Sequence, residues 1–194
     1  MNTIQKSSSG VTLVPIESRL LSERKVFLEG EINASSAGEF VKTVMYLVNE
    51  DSEKPIDVFI NSPGGSVNDA GFMIYDFLKG LNTEINLHCM GIAASMAAIL
   101  MAGGAKGHRF IWPHGGMMIH QPHLAGGIGG NATAIMQTAE EIMKRKSVIV
   151  GLLSADTGKS AEEIEAAISF DNYMNAEESI AFGLCDTIET SIVR

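Results

Sequence analysis

The sequence predicts an α/β fold, and three observations carry that prediction. Strand-like and helix-like segments alternate along most of the chain. Glycine-containing turns stand where predicted strands pass into predicted helices, at Pro63-Gly64-Gly65 and after Met90-Gly91. Helix-start patterns recur, with Ser160 ahead of Glu163 and Asn175 ahead of Glu178, each a polar cap with glutamate three residues later. At 194 residues, 45% hydrophobic and 19% charged, the chain suffices for one domain with a substantial core.

The elements follow in order. Residues 1–16 carry no strong periodicity and are expected to form a mobile amino-terminal segment, leaving 17–194 as a single domain. Arg24 to Ile32 alternates as a strand. Ser35 and Ser36 can cap a helix carrying Phe40, Val41, Val44, Met45, Leu47 and Val48 at helical spacing. Pro55 restarts the chain as a strand over 56–60, a loop covers 61–65, and a helix runs from about Val67 to Lys79. A strand over 84–89 leads to a helix that opens at Ser95 and ends at Gly103-Gly104. Strands at 108–112 and 117–120 precede a glycine-rich loop or irregular strand at 126–130. A long helix then spans about Ala132 to Ala155, two short helices follow, and a strand over 184–189 closes the chain.

Composition excludes several functions. The net charge is −9, and the longest basic run is Lys144-Arg145-Lys146, which argues against nucleic acid and anionic membranes as partners. No apolar run approaches the roughly 20 residues of a membrane span, and the polar start lacks a secretory core. Cys89 and Cys185 therefore read as buried free thiols in a cytoplasmic chain. The 11 methionines are scattered and read as adaptable packing.

Chemistry concentrates in three segments. Ser95 lies in Met90-Gly91-Ile92-Ala93-Ala94-Ser95-Met96-Ala97-Ala98, walled in by small residues. A nucleophile needs such neighbours, because a substrate carbonyl must reach its oxygen while backbone N–H groups face the developing oxyanion. His120, in Met117-Met118-Ile119-His120-Gln121-Pro122, can serve as its base. The Gly64-Gly65 pair lets backbone approach a ligand, although a tight turn explains it equally well. Each feature has a bland reading alone, a capping serine or a buried histidine. Together, all at strand ends, they suggest one site. Asp156, Asp171 and Asp186 are candidates for the acid that orients the base, and spacing does not choose among them. His123 lies three residues past His120, but with no Cys, Asp or Glu nearby in sequence a metal site is not expected.

These segments resemble the proteolytic subunits of the caseinolytic (Clp) protease, the ClpP family. The resemblance extends from Arg19-Leu20-Leu21-Ser22-Glu23-Arg24 to Leu184-Cys185-Asp186. It rests on Phe59-Ile60-Asn61-Ser62-Pro63-Gly64-Gly65, on Met90 through Met96, on Met118-Ile119-His120-Gln121-Pro122 and on Ala181-Phe182-Gly183-Leu184. The Pro-Gly-Gly turn alone would also fit signal peptide peptidases or crotonase-type acyl-CoA enzymes. The resemblance implies a crotonase-like fold of repeated β-β-α units with a protruding handle helix, at about 123–155. It implies a serine endopeptidase acting on unfolded polypeptides, with Ser95 as nucleophile, His120 as base and Asp171 as the acid. Gly65 and Met96 would be the oxyanion donors through their backbone N–H groups. No cofactor or metal is implied. The implied partners are further copies, as heptameric rings stacked into a tetradecamer, and an AAA+ unfoldase that spends the ATP.

Three departures from the family pattern qualify this. The amino terminus is short, with polar Ser7-Ser8-Ser9-Gly10 where the family's axial loops begin on an apolar segment. Phe170 stands where many members carry an arginine that pairs across the rings. Asp57 replaces an aromatic residue of the unfoldase-docking pocket, which retains Phe59. The alternative is therefore a regulatory or partner-dependent second paralogue, with acyl-CoA chemistry ranked last.

Overall fold

The chain begins with a β-hairpin, β1 (Asn2–Ser7) and β2 (Gly10–Pro15), paired antiparallel from Asn2 opposite Pro15 to Ser7 opposite Gly10. In this computed structural model every residue is described except 8–9, 125, 127–128 and 192–194. The expectations for Ser8-Ser9, for much of the glycine-rich stretch and for the last three residues thus lie outside the described residues. A short helix, α1 (Ile16–Ser22), joins the hairpin to the body. Neither element was visible as periodicity, because β2 has no buried face to impose alternation.

The body is a mostly parallel sheet with helices packed on it. Its elements are β3 (Lys25–Ile32), α2 (Ala34–Glu50), β4 (Ile56–Gly65), α3 (Phe72–Lys79), β5 (Ile85–Ala94), α4 (Met96–Ala102), β6 (Arg109–Ile111) and β7 (Gly116–Ile119). After them come α5 (Ala132–Thr157), α6 (Ala161–Ala167), β8 (Asn172–Met174), α7 (Ala176–Phe182) and β9 (Thr187–Ile188). A wide π turn at Val67–Gly71 precedes α3. The strands lie in the order β3-β4-β5-β6-β9, with β7 branching from β5 and β8 antiparallel to β7.

The branching has a simple origin. The β3–β4 register slips between Glu29 and Glu31, and the β4–β5 register slips between Ile60 and Ser62. Each long strand is thus two strands joined at an irregularity. The first half of β5 pairs with β6 through Leu87–Cys89, and the second half pairs with β7 through Ile92–Ala94. Strand-half, strand-half, helix repeats along the chain as the β-β-α unit, and the segment 61–65, expected as loop, is the second half of β4.

Side-chain patterning explains the helices. α2 buries Ala37, Phe40, Val44 and Leu47, a helical i, i+3, i+7, i+10 stripe. Its cap is Asn33, whose side chain accepts from the Ser35 and Ser36 amides while the Ser36 hydroxyl accepts from the Asn33 amide. The two serines therefore occupy the first turn instead of the cap itself. α4 is buried at all seven residues, which its unbroken run Met-Ala-Ala-Ile-Leu-Met-Ala requires. The capping boxes at Ser160/Glu163 and Asn175/Glu178 form as expected. α5 is buried only from Ile149 onward, so its first turns, over 132–148, add no buried residue to the core. Among the described residues, no helix is long and apolar enough to cross a membrane.

Candidate active site

Sheet register alone brings Ser95, His120 and Asp171 together. Ala94 of β5 sits opposite Met118 of β7, and the Ser95 amide donates to the Met118 carbonyl at 2.8 Å. His120, one residue past β7, therefore emerges beside Ser95. β7 pairs antiparallel with β8, Ile119 opposite Asn172, so the next pair out is His120 and Asp171. All three side chains leave their strands where the second half of the sheet ends, as sites in open α/β sheets do.

The result is an unbroken hydrogen-bonded chain. Ser95 Oγ lies 2.9 Å from His120 Nε2, and His120 Nδ1 lies 2.9 Å from Asp171 Oδ1. With the proton on Nδ1 donating to the carboxylate, Nε2 is left to accept from the serine hydroxyl. His120 is largely shielded, with 13% of its side chain exposed, whereas Asp171 is 57% exposed. Phe170, beside that carboxylate, is 86% exposed.

Ser95 occupies the turn between β5 and α4 at φ 55°, ψ −122°. Only Arg24 shares a positive φ among described non-glycine residues, and such a conformation costs on the order of 1–3 kcal/mol. The turn starts α4 at Met96, and the first amides of a helix have no intrahelical acceptor. Gly64 and Gly65 close the other side. Both have positive φ, +95° and +151°. A Cβ on Gly64 would stand 2.6 Å from Ser95 Cβ and 3.0 Å from the Met96 nitrogen, and one on Gly65 would stand 2.1 Å from the Ile32 carbonyl oxygen. Glycine is therefore required for conformation and for room, and the backbone lies directly against the serine turn.

Beside this arrangement runs a cleft of about 710 Å³, lined by the Pro63–Asp69 turn, Ser95, His120, Pro122, His123, Glu31 and Arg145. A family model described as Clp protease matches residues 8–191. The chain belongs to the Clp protease family. Membership makes it a Clp-type serine protease in broad class, and its mostly parallel α/β architecture is of that kind.

Within this Clp protease, the other two candidate acids have different work. Asp156 accepts from the Tyr75 hydroxyl and from Lys79 Nζ, both at 2.8 Å, fastening α5 to α3. Asp186 receives the buried Arg109 guanidinium through Nε at 2.9 Å and through Nη2, fixing β6 to the chain's closing segment. Cys89 and Cys185 are free and buried, and burial pushes both thiols up to about 12, so they are inert. His123 stands edge-on to His120, ring centroids 5.0 Å apart. Four residues of the cleft escaped the sequence reading: Glu31, Asn68, Asp69 and Arg145. Only Arg145 gave a signal, and it counted there solely as part of the short basic run Lys144-Arg145-Lys146.

Proposed function

We propose that this chain is a serine endopeptidase cleaving unfolded polypeptides. His120 takes the Ser95 proton as Oγ attacks the scissile carbonyl, and returns it to the leaving amine as the C–N bond breaks. Water then attacks the acyl-serine ester with His120 again as base, releasing the carboxylic acid and restoring Ser95. Asp171 holds the imidazole tautomer and balances the imidazolium charge. The Gly65 and Met96 amides receive the oxyanion. The observation that carries the reading is the continuous Ser95–His120–Asp171 chain at 2.9 Å per link, in a cleft floored by glycine backbone.

The finer assignments follow from kinship and from the same residues. The chain is read as assembling into heptameric rings stacked as a tetradecamer, the exposed first turns of α5 forming the handle between rings. An AAA+ unfoldase supplies substrates, its docking face centred on Phe59 with Asp57 altering that contact. Two buried unpaired thiols suit a cytoplasmic, reducing setting. The second reading, a partner-dependent paralogue, is favoured by Phe170, which offers no charge for a ring-to-ring ion pair.

Ser95→Ala tests the proposal. Hydrolysis of a fluorogenic peptide falls about 10⁴-fold or more, with the native mass of the assembly unchanged. Undiminished turnover sinks it. Fluorophosphonate labelling of Ser95 in the isolated chain supports autonomy, and labelling only after a paralogue is added supports the second reading.

A further inference from the structure

Among the described residues, Arg145 is the one cation lining the cleft apart from its histidines. It projects from α5 and is half-buried. In the amide orientation that satisfies both groups, the Asn68 side-chain carbonyl accepts from Arg145 Nε at 3.0 Å and from Nη2 at 2.9 Å. The guanidinium is thus anchored to the turn after β4 by a neutral partner. Among the described residues it makes no ion pair with a carboxylate. Of its five N–H donors, two are engaged by Asn68 and three remain for a ligand.

A guanidinium held this way is poised for a carboxylate. Its planar fork is fixed in advance, so less side-chain entropy is lost on binding. The two acidic residues of the cleft do not cancel it. Asp69 is engaged by the Ser66 hydroxyl and exposed, and Glu31 is exposed on a different strand. Glu141, one turn earlier on α5, feels the Arg145 charge but is exposed and hydrogen-bonded to Lys144, so water screens the attraction of all three carboxylates for the guanidinium. We propose that Arg145, positioned by Asn68, is a specificity residue that selects an acidic side chain, aspartate or glutamate, flanking the scissile bond. The inference rests on the peptidase reading above and adds the substrate class to it.

The test is a peptide set on the purified full-length assembly, one glutamate scanned through each position around a single cleavable bond, with glutamine and lysine series alongside. At one position glutamate raises kcat/KM about tenfold over glutamine, the difference residing in KM because the ion pair forms on binding. Arg145→Gln erases that ratio, Arg145→Lys restores part of it, and Arg145→Glu turns the preference to lysine. Asn68→Ala reduces the ratio without removing it. The proposal is overturned if glutamate gives no advantage at any position, if lysine is preferred by the unaltered protein, or if Arg145→Gln lowers glutamate and glutamine peptides equally. If no peptide is cleaved and fluorophosphonate leaves Ser95 unmodified, the peptidase reading fails by itself. Calorimetry of the same peptides then decides the Arg145 assignment: tighter binding of the glutamate peptide that Arg145→Gln abolishes upholds it, and equal, weaker or absent binding overturns it.

Discussion

Two histidines in this chain each bridge two partners, and they differ in what surrounds the bridge. His120 links a serine to a carboxylate at the mouth of a cleft. His88 links two carboxylates, Glu189 at 2.7 Å through Nδ1 and Asp57 at 3.5 Å through Nε2. Its ring is stacked between Phe59 and Phe110, with centroids 4.8 and 5.1 Å away, and Phe27 continues the stack at 5.2 Å from Phe59. The stack exists because Phe27, Phe59, His88 and Phe110 occupy one register line across four parallel strands. A hydrogen-bonded histidine is thus no mark of catalysis in itself. His120 differs in having a serine hydroxyl on its second nitrogen and an open cleft beside it. His88 has acids on both nitrogens and phenyl rings on both faces, and acts as mortar.

Exchanging the two roles by mutation gives the largest expected effects. His120→Ala removes the base and lowers peptide turnover about 10⁴-fold, with thermal stability nearly unchanged because the ring sits at the edge of a cleft. His88→Ala does the opposite. It empties the aromatic stack and leaves Glu189 facing it without its partner, at a cost of about 2–4 kcal/mol. For a chain of this size that lowers Tm by about 5–10 °C, while turnover measured well below the transition persists. Calorimetry and a fluorogenic peptide assay on both variants check the pair. If His88→Ala silences turnover at full stability, the distinction between the sites collapses.

A smaller effect separates backbone from side chain within the active site. Gly64→Ala places a Cβ against Ser95 Cβ and the Met96 nitrogen, on a φ of +95° that alanine resists. Turnover falls about 10²–10³-fold, the scale of a lost oxyanion donor, and falls mainly in kcat. Gly158, at φ +83° with open space around it, is the control: Gly158→Ala strains the α5 cap without touching the site. Equal losses of turnover at both positions would show that strain alone, not proximity to the serine turn, matters.

Local signals and long-range register contributed unequally to what the sequence made legible. The alternation of strands and helices, the capping boxes and the fully apolar α4 are local, and they emerged as expected. Ser95 and His120 were readable because each sits in a distinctive neighbourhood at the end of a recognisable element. Asp171 was not selected by spacing, since its place depends on the antiparallel β7–β8 pairing and β8 has only three residues. Resemblance to known sequences, not periodicity, singled it out, and in the structure its carboxylate lies 2.9 Å from His120 Nδ1. The forked strands were missed for the same reason, because a register slip leaves no mark in side-chain alternation. The β1–β2 hairpin was missed because β2 has no buried face to impose a pattern. Arg145 was missed because a helix face turned toward a cleft looks, in sequence, like one turned toward water.

The smallest expected effect concerns protonation of His88. Burial disfavours its charged form, but the hydrogen bonds and charges of Asp57 and Glu189 outweigh burial and raise its pKa above the ordinary value. Asp57 moves the matching way, held below the usual carboxylate range chiefly by its bond to His88. The neighbouring groups are Lys25 on β3, Asn86 on β5, and His108 paired with Glu84, none of which displaces either acid from the imidazole. A histidine whose pKa rises on folding stabilises the fold fully below its unfolded value of about 6.5, and that stabilisation is lost as pH climbs through the folded value. The stability gap between the unaltered chain and His88→Gln should therefore be widest near about pH 6 and narrow toward about pH 8.5. Thermal melts of the unaltered chain and of His88→Gln across pH measure the gap, and one that stays flat or widens with pH would show that the imidazole sits neutral between its two acids.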